Sequence, residues 1–418
     1  MNKRLYIYIC SIILCLISAC SFESKKEASY TILSPNSNDN VIVIDLDEIE
    51  KGDFCLASSL FKNVVSIILE TNDNSLIVAV DKVQEHNDKL YILDREGAKG
   101  ILIFDKEGKY LDRIGRVGQG PGEYRQPYDF TIDTDNNVLY ILDIALRKVY
   151  SYNLIDRKFI KTINLKDEST YSHYIQYVDG KLYANADNYA ETDNDFLLRE
   201  IDIDSGEQVS CWLDNKSYNK GFHNRISRNH VSAPSNPFHP STSSGVNFNF
   251  MYMDTIMSIN KEGVTPLLTI KSKDIISSED IQAVMKKENR TKLITDLDKI
   301  HTIEDIVDGR QFILFQYTQK RTVNTVIYDK EKQLATNHKG ILDDLVFAIN
   351  LDKHIVGISP QMKAADKNGV YSIVYDYYMP KLLDLIQKDA LNLPAEDIEK
   401  LKKLTPDSNP VLFYYEYK

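Results

Sequence analysis

Short apolar stretches rich in Val, Ile, Leu and Tyr, separated by Gly, Asn and Asp, run along most of the chain and read as strands of a meander. Residues 40–46, 76–80, 89–93 and 101–104 open the series, with Lys106–Lys109 as a hairpin turn. Leu90-Tyr91-Ile92-Leu93-Asp94 returns letter for letter as Leu139-Tyr140-Ile141-Leu142-Asp143, and Tyr110/Phe159 and Ile114/Ile163 keep the same offset. An identical pentapeptide at fixed spacing marks one supersecondary unit laid down again. A second unit runs from Asp129 to Leu165, turning at 133–137 and 155–157, and a third begins at Tyr174 and turns at Asp179-Gly180 and 204–206. Residues 248–259, 312–329 and 345–375 supply a fourth, fifth and sixth. Six such units predict an all-β fold, a six-bladed β-propeller of four-stranded antiparallel blades filling residues 40–418. A ring of sheets must be closed, so the terminal strand at 411–417 is expected to pair in a blade shared with the N-terminal segment.

Two stretches break the strand rhythm. Ser277-Ser278-Glu279-Asp280 resembles a capping box opening a helix over 279–296, and 379–404 reads as a helical pair interrupted at Pro394. Each has one apolar and one charged face, which suits a helix lying on a propeller rim.

The chain has 418 residues, 43% hydrophobic and 27% charged, enough apolar content for a large core. A formal charge of −11 excludes a general nucleic-acid binder, which needs a basic face against phosphates. The first nineteen residues have a different texture: Lys3 and Arg4 precede an apolar run too short for a membrane span, and small residues follow it. Ile17-Ser18-Ala19-Cys20 resembles the bacterial lipobox, which implies cleavage between Ala19 and Cys20 and acylation of Cys20, with residues 20–39 as a flexible lipidated tether. Several acyl chains anchor a protein stably at about 0.8 kcal/mol per buried methylene. The expected address is the cell envelope, lipid-anchored, at the outer membrane. Of the five cysteines only Cys55 and Cys211 lie beyond Cys20, without any CxxC, so structural zinc has no support.

The segment Gly118, Gln119, Gly120, Pro121, Gly122, Glu123, Tyr124 cannot be the interior of a helix or strand, and it is expected to cross from one blade to the next. It imitates a phosphate cradle, but Pro121 removes an amide and no helix follows, so a brace between blades is the preferred reading. Residues 216–246 are long and polar for a blade connection, and His223, Arg225, Arg228, His230 and His239 make them the candidate binding loop. The histidine spacing matches no metal-ligand pattern. Asp133, Asp135 and Asn137 begin like a calcium loop but lack its glycine and distal glutamate, so a turn is expected. No catalytic motif is present, and neither a metal nor another cofactor is expected. Two functions fit: a binding or scaffold module for a glycan, peptide or envelope-protein partner, or a hydrolase or lyase, with or without a divalent metal, whose site assembles at the axial channel mouth.

The strings Ile68–Leu76, Leu90–Asp94, Ile103–Gly108, Ile114–Tyr124, Asp254-Thr255-Ile256 and Asn409-Pro410-Val411-Leu412 are similar to those of six-bladed β-propeller lipoproteins, relatives of the NHL-repeat and TolB-like propellers. The resemblance covers residues 40–418. It implies a lipid-anchored propeller of the Gram-negative envelope and supplies no catalytic residues.

Overall fold

The computed structural model describes residues 31–166, 171–187, 195–222, 235–242, 245–285, 297–348, 362–374 and 378–418. From Ile32 onward the chain builds six blades of antiparallel strands. Blade 1 holds Lys82–His86, Lys89–Asp94, Gly100–Asp105 and Tyr110–Ile114; blade 2 holds Pro127–Asp133, Val138–Asp143, Lys148–Asn153 and Phe159–Asn164. Blade 3 spans Ile175–Asp214 and blade 4 spans Phe238–Lys271. Blade 5 spans Thr302–His338, and blade 6 joins Met362–Ala365, Gly369–Val374 and Val411–Tyr417 to Phe61–Ile68. The expected six-bladed propeller is therefore the fold.

The repeated pentapeptide explains how the blades stack. Leu90 and Ile92 enter the core between blades 6 and 1, whereas Tyr91 and Leu93 enter the core between blades 1 and 2. In the second copy Leu139 and Ile141 face blade 1, and Tyr140 and Leu142 face blade 3. Successive strand residues point to opposite faces, and here both faces are covered, so the strand is apolar throughout. Each of the six blade junctions has its own buried core. A fully buried Leu, Ile or Phe contributes about 1.5–3 kcal/mol, so the ring is held by its junctions.

The ring closes as the terminal strand suggested. Val411–Tyr417 pairs with Gly369–Val374 on one side and with Phe61–Ile68 on the other. Before reaching that place the N-terminal segment runs along the outer edges of the preceding blades. Leu33 pairs with Trp212 of blade 3, Ile42–Asp45 runs parallel to Leu268–Lys271 of blade 4, and Glu50–Lys51 runs parallel to Thr336–Asn337 of blade 5. Residues 33–39 are thus already hydrogen-bonded to the blades, through Leu33 to Cys211 and Asn36 to Val264, where the sequence suggested a flexible tether.

Three other expectations need correction. Residues 76–80 form no strand, because side chains take their amides: Asn409 Oδ1 accepts from Ile77 N at 2.8 Å and Asp94 Oδ2 from Val78 N at 2.9 Å. Blade 4 starts at Phe238 rather than Phe248. The innermost strand of blade 6 is Met362–Ala365, while Phe347 bridges Leu391 of the helical insertion; residues 349–361 lie outside the described residues. The capping box is real, with Asp280 N donating to Ser277 Oγ at 3.1 Å and Ser277 N to Asp280 Oδ2 at 3.0 Å, and its helix is described over Ser278–Met285. Helices Met379–Gln387 and Ala395–Leu401 pack into the core between blades 5 and 6.

Candidate functional site

The blades' innermost strands surround a channel of about 500 Å³. At one end of the channel the strand connections are short turns, such as Asn87-Asp88, Asp179-Gly180 and 309–311. At the other end, where each innermost strand begins, lie the strand ends that the long connections join: 214 and 238, 271 and 302, 338 and 362, and 374 and 411. Loops on a rigid scaffold are where function concentrates, which marks this end as the mouth.

Of the candidate binding loop, His239 reaches the channel wall, on the first strand of blade 4. His223, Arg225, Arg228 and His230 lie outside the described residues. Burial pushes the His239 imidazole down to about 4, against the opposing charge of Asp305 and a hydrogen bond to the Asn249 backbone, so the ring is neutral at pH 7. Part of it still faces the channel, as expected for a side chain set in the wall of a narrow passage.

The neighbouring wall comes from blades 5 and 6 and escaped the sequence reading. Asp305 has φ of 49° and sits in a bulge between Glu304 and Val307 that turns the strand toward the channel. A second bulge, between Met362 and Ala364, presents Lys363, whose Nζ lies 3.1 Å from Asp305 Oδ1. Fourteen other described non-glycine residues share a positive φ, but Asp305 is the one of them in the channel wall, where such a conformation costs energy outside a connecting turn. Glu304 has its carboxyl pKa raised, first by burial and then by Asp305, with Lys363 opposing. The visible signal was the pair Glu304-Asp305 interrupting Ile303 and Ile306-Val307, two adjacent charges where strand alternation allows one.

The opposite wall is a tighter polar lattice. Arg95 pairs with Asp81 at 2.5 Å and lies 4.4 Å over the Tyr128 ring, which meets His173 and Tyr174 edge-on. Lys82 binds Asp129 at 2.9 Å and the Phe130 carbonyl at 2.6 Å. Burial raises the Asp129 pKa, with Lys82 opposing the shift. His173 in turn is hydrogen-bonded to the buried Asp187. Gln84 and Gln176 also line the passage, and Gln84 Oε1 is buried without a hydrogen-bond partner.

The glycine-rich segment has another job. Its amides do form an anion cradle, but Glu123 fills it: Oε2 accepts from Gln119 N at 2.9 Å and Gly120 N at 2.8 Å, and Arg116 Nε binds Oε1 at 2.6 Å. Tyr124 is fully buried and donates to the Ile114 carbonyl at 3.0 Å, and Tyr152 donates to the Gly122 carbonyl. Gly118, Gly120, Pro121 and Gly122 therefore serve a brace between blades 1 and 2. Asp133 accepts from Asn136 N at 3.1 Å in an ordinary turn, with Asn137 at φ of 53°. Among the described residues no group of three His, Cys, Asp or Glu side chains is placed to hold a metal ion. Cys55 and Cys211 are separate buried thiols. Cys20 and Ala19 lie outside the described residues, and no described helix is long and apolar enough to cross a membrane.

No curated protein matches the sequence. Residues 41–416 match the family model described as Domain of unknown function (DUF4934). Among solved structures, a protein of Bacteroides fragilis NCTC 9343 assigned as exported is similar, with 20% identity over 90% of this chain and 99% of its own, at a TM-score of 0.70. A member of the duf4221 family from Bacteroides vulgatus ATCC 8482 is 11% identical, covering 85% of this chain and 97% of its own, at a TM-score of 0.47. At 20% identity the first likeness speaks for the fold alone.

Proposed function

The chain belongs to the family described as Domain of unknown function (DUF4934), and from its channel we propose that it is a binding module of the cell envelope, tethered by lipid on Cys20, that takes a glycan, peptide or envelope-protein segment at the axial mouth. The observation that carries this reading is the 500 Å³ channel lined by polar side chains from several blades at the end where the long connections gather. Its wall offers neutral His239, the amides of Gln84 and Gln176, and hydroxyls of Tyr128 and Tyr174, groups that hydrogen-bond a polar ligand without doing chemistry on it. The short apolar run ahead of Cys20 favours an envelope address.

A hydrolase or lyase is the second reading, favoured by the convergence of His239, Glu304 and Asp305. An efficient general base titrates near the working pH, and an imidazole held at about 4 is far from it, while Asp305 is engaged with Lys363. That weighs toward binding. Glycan and peptide arrays probed with the full-length protein in detergent test the proposal, with His239→Ala as the control. Retention of a ligand that the variant loses is the expected result; turnover of the ligand would establish the enzyme, and silence on both arrays would reject a binding role for the channel. Intact-mass measurement from the native host checks the anchor, with an unmodified Cys20 overturning it.

A further inference from the structure

Five carboxylates line the channel, and four have a basic partner within 4 Å: Asp81 with Arg95 at 2.5 Å, Glu85 with Lys106 at 3.5 Å, Asp129 with Lys82 at 2.9 Å and Asp305 with Lys363 at 3.1 Å. Glu304 has none among the described residues, and no hydrogen bond from any of them reaches its carboxyl. Lys363 is near enough for its charge to be felt, but its ammonium is turned to Asp305. A carboxylate set into a protein wall without a partner is unfavourable, and burial does raise its pKa. Nothing in the fold requires an acid there, because the strand pairing of Glu304 with Gln316 uses backbone alone.

We propose that Glu304 is the anchor for a primary ammonium group of the ligand, which completes the ion pair that the protein leaves open. An amino sugar and a peptide amino terminus both carry that group. The bulge at Asp305 turns the strand toward the cavity, and the unpaired Gln84 Oε1 is a further acceptor along the same passage. A charge-assisted hydrogen bond in a sheltered site is among the stronger polar contacts, and the ammonium has three donors to share among such acceptors. The inference rests on the binding reading above.

Calorimetric titration of the full-length protein at pH 7 with two matched pairs tests it: a glucosamine tetramer against its fully N-acetylated form, and tetraalanine against N-acetyl-tetraalanine. In at least one pair the free amine should bind about tenfold or more tighter, Glu304→Gln should erase the difference, and the pair that responds identifies the source of the ammonium. Equal binding of both members, or an advantage that survives Glu304→Gln, overturns the ammonium anchor while leaving the channel a binding site. Binding by no member overturns it as well, and the arrays then decide the wider reading separately. Melting supplies a readout that needs no ligand. Glu304→Gln removes an unpaired charge and should raise Tm, whereas a lowered Tm would mean that Glu304 has a structural partner and would sink the proposal.

Discussion

At the ring-closing junction Asn409 is fully buried and its side chain is fully engaged: Oδ1 accepts from Ile77 N at 2.8 Å, and Nδ2 donates to the carbonyls of Glu70 at 2.8 Å and Ser75 at 2.7 Å. At the channel mouth Glu304 makes no hydrogen bond to any described residue, and its neighbour Asp305 is held at φ of 49°. Asn409 has its amide fully engaged, whereas the Glu304 carboxyl is left open beside a neighbour at positive φ. A half-buried carboxylate left open beside a cavity is free to take a partner from outside, which a fully engaged amide is not.

If that contrast is right, the largest stability loss should come from the junction. Asn409→Ala strands one amide and two carbonyls at 1–3 kcal/mol each, a total of about 4 kcal/mol, read as a shift in denaturant midpoint at constant m-value. Ligand affinity of the fraction that remains folded should be unchanged. A loss below about 1 kcal/mol would mean that the terminal strand, not this knot, closes the ring.

The brace between blades 1 and 2 should rank next. Gly122 has φ of 73°, and a Cβ there would lie 2.6 Å from Phe159 Cγ. Gly122→Ala is expected to cost about 1–3 kcal/mol in the same measurement, again without touching the channel.

The strings that build these two devices stood out in the sequence and the channel did not, for a physical reason. Asn409 and the stretch Ile68–Leu76 stood out as two separate strings of a recognisable propeller, and the fold brings them together as one knot. The glycine-rich string was likewise contiguous because a tight brace is built from neighbours: Glu123 binds amides three and four residues before it. The mouth is assembled across blades, from His239, Glu304, Asp305 and Lys363 on three innermost strands, so no window of sequence contains it. His239 was reached because the loop before it is long. Lys82 was missed because a charged residue opening a strand looks like any solvated strand end, and Arg95, Tyr128 and Asp129 because they sit after or within other strands, with nothing local to show that they meet.

Acid should separate the two regions further. The folded imidazole of His239, at about 4, binds a proton less readily than the unfolded one near 6.5, so its contribution to stability is complete above pH 6.5 and is lost as pH falls toward 4. The groups facing it are Asp305, Lys363 and the Asn249 backbone. Stability of His239→Gln between pH 6.5 and 4 should fall less steeply than that of the native chain; identical slopes would show the ring to be solvated.

The smallest effect on stability should come at the strained bulge, and it is the sharpest test of the contrast. Asp305→Gly relieves a positive φ, worth about 1 kcal/mol or more, and removes the pair with Lys363, worth about 0–1 kcal/mol, so the denaturant midpoint should move little or rise. Affinity should behave otherwise. Removing Asp305 takes a negative charge from beside Glu304 and leaves the Lys363 charge, which Glu304 already feels, weighing more heavily against an incoming ammonium. Amine binding should therefore drop while the fold holds, the reverse of Asn409→Ala. A loss of several kcal/mol from Asp305→Gly would instead place the bulge with the junction, as a part of the scaffold, and remove the strain argument for the site.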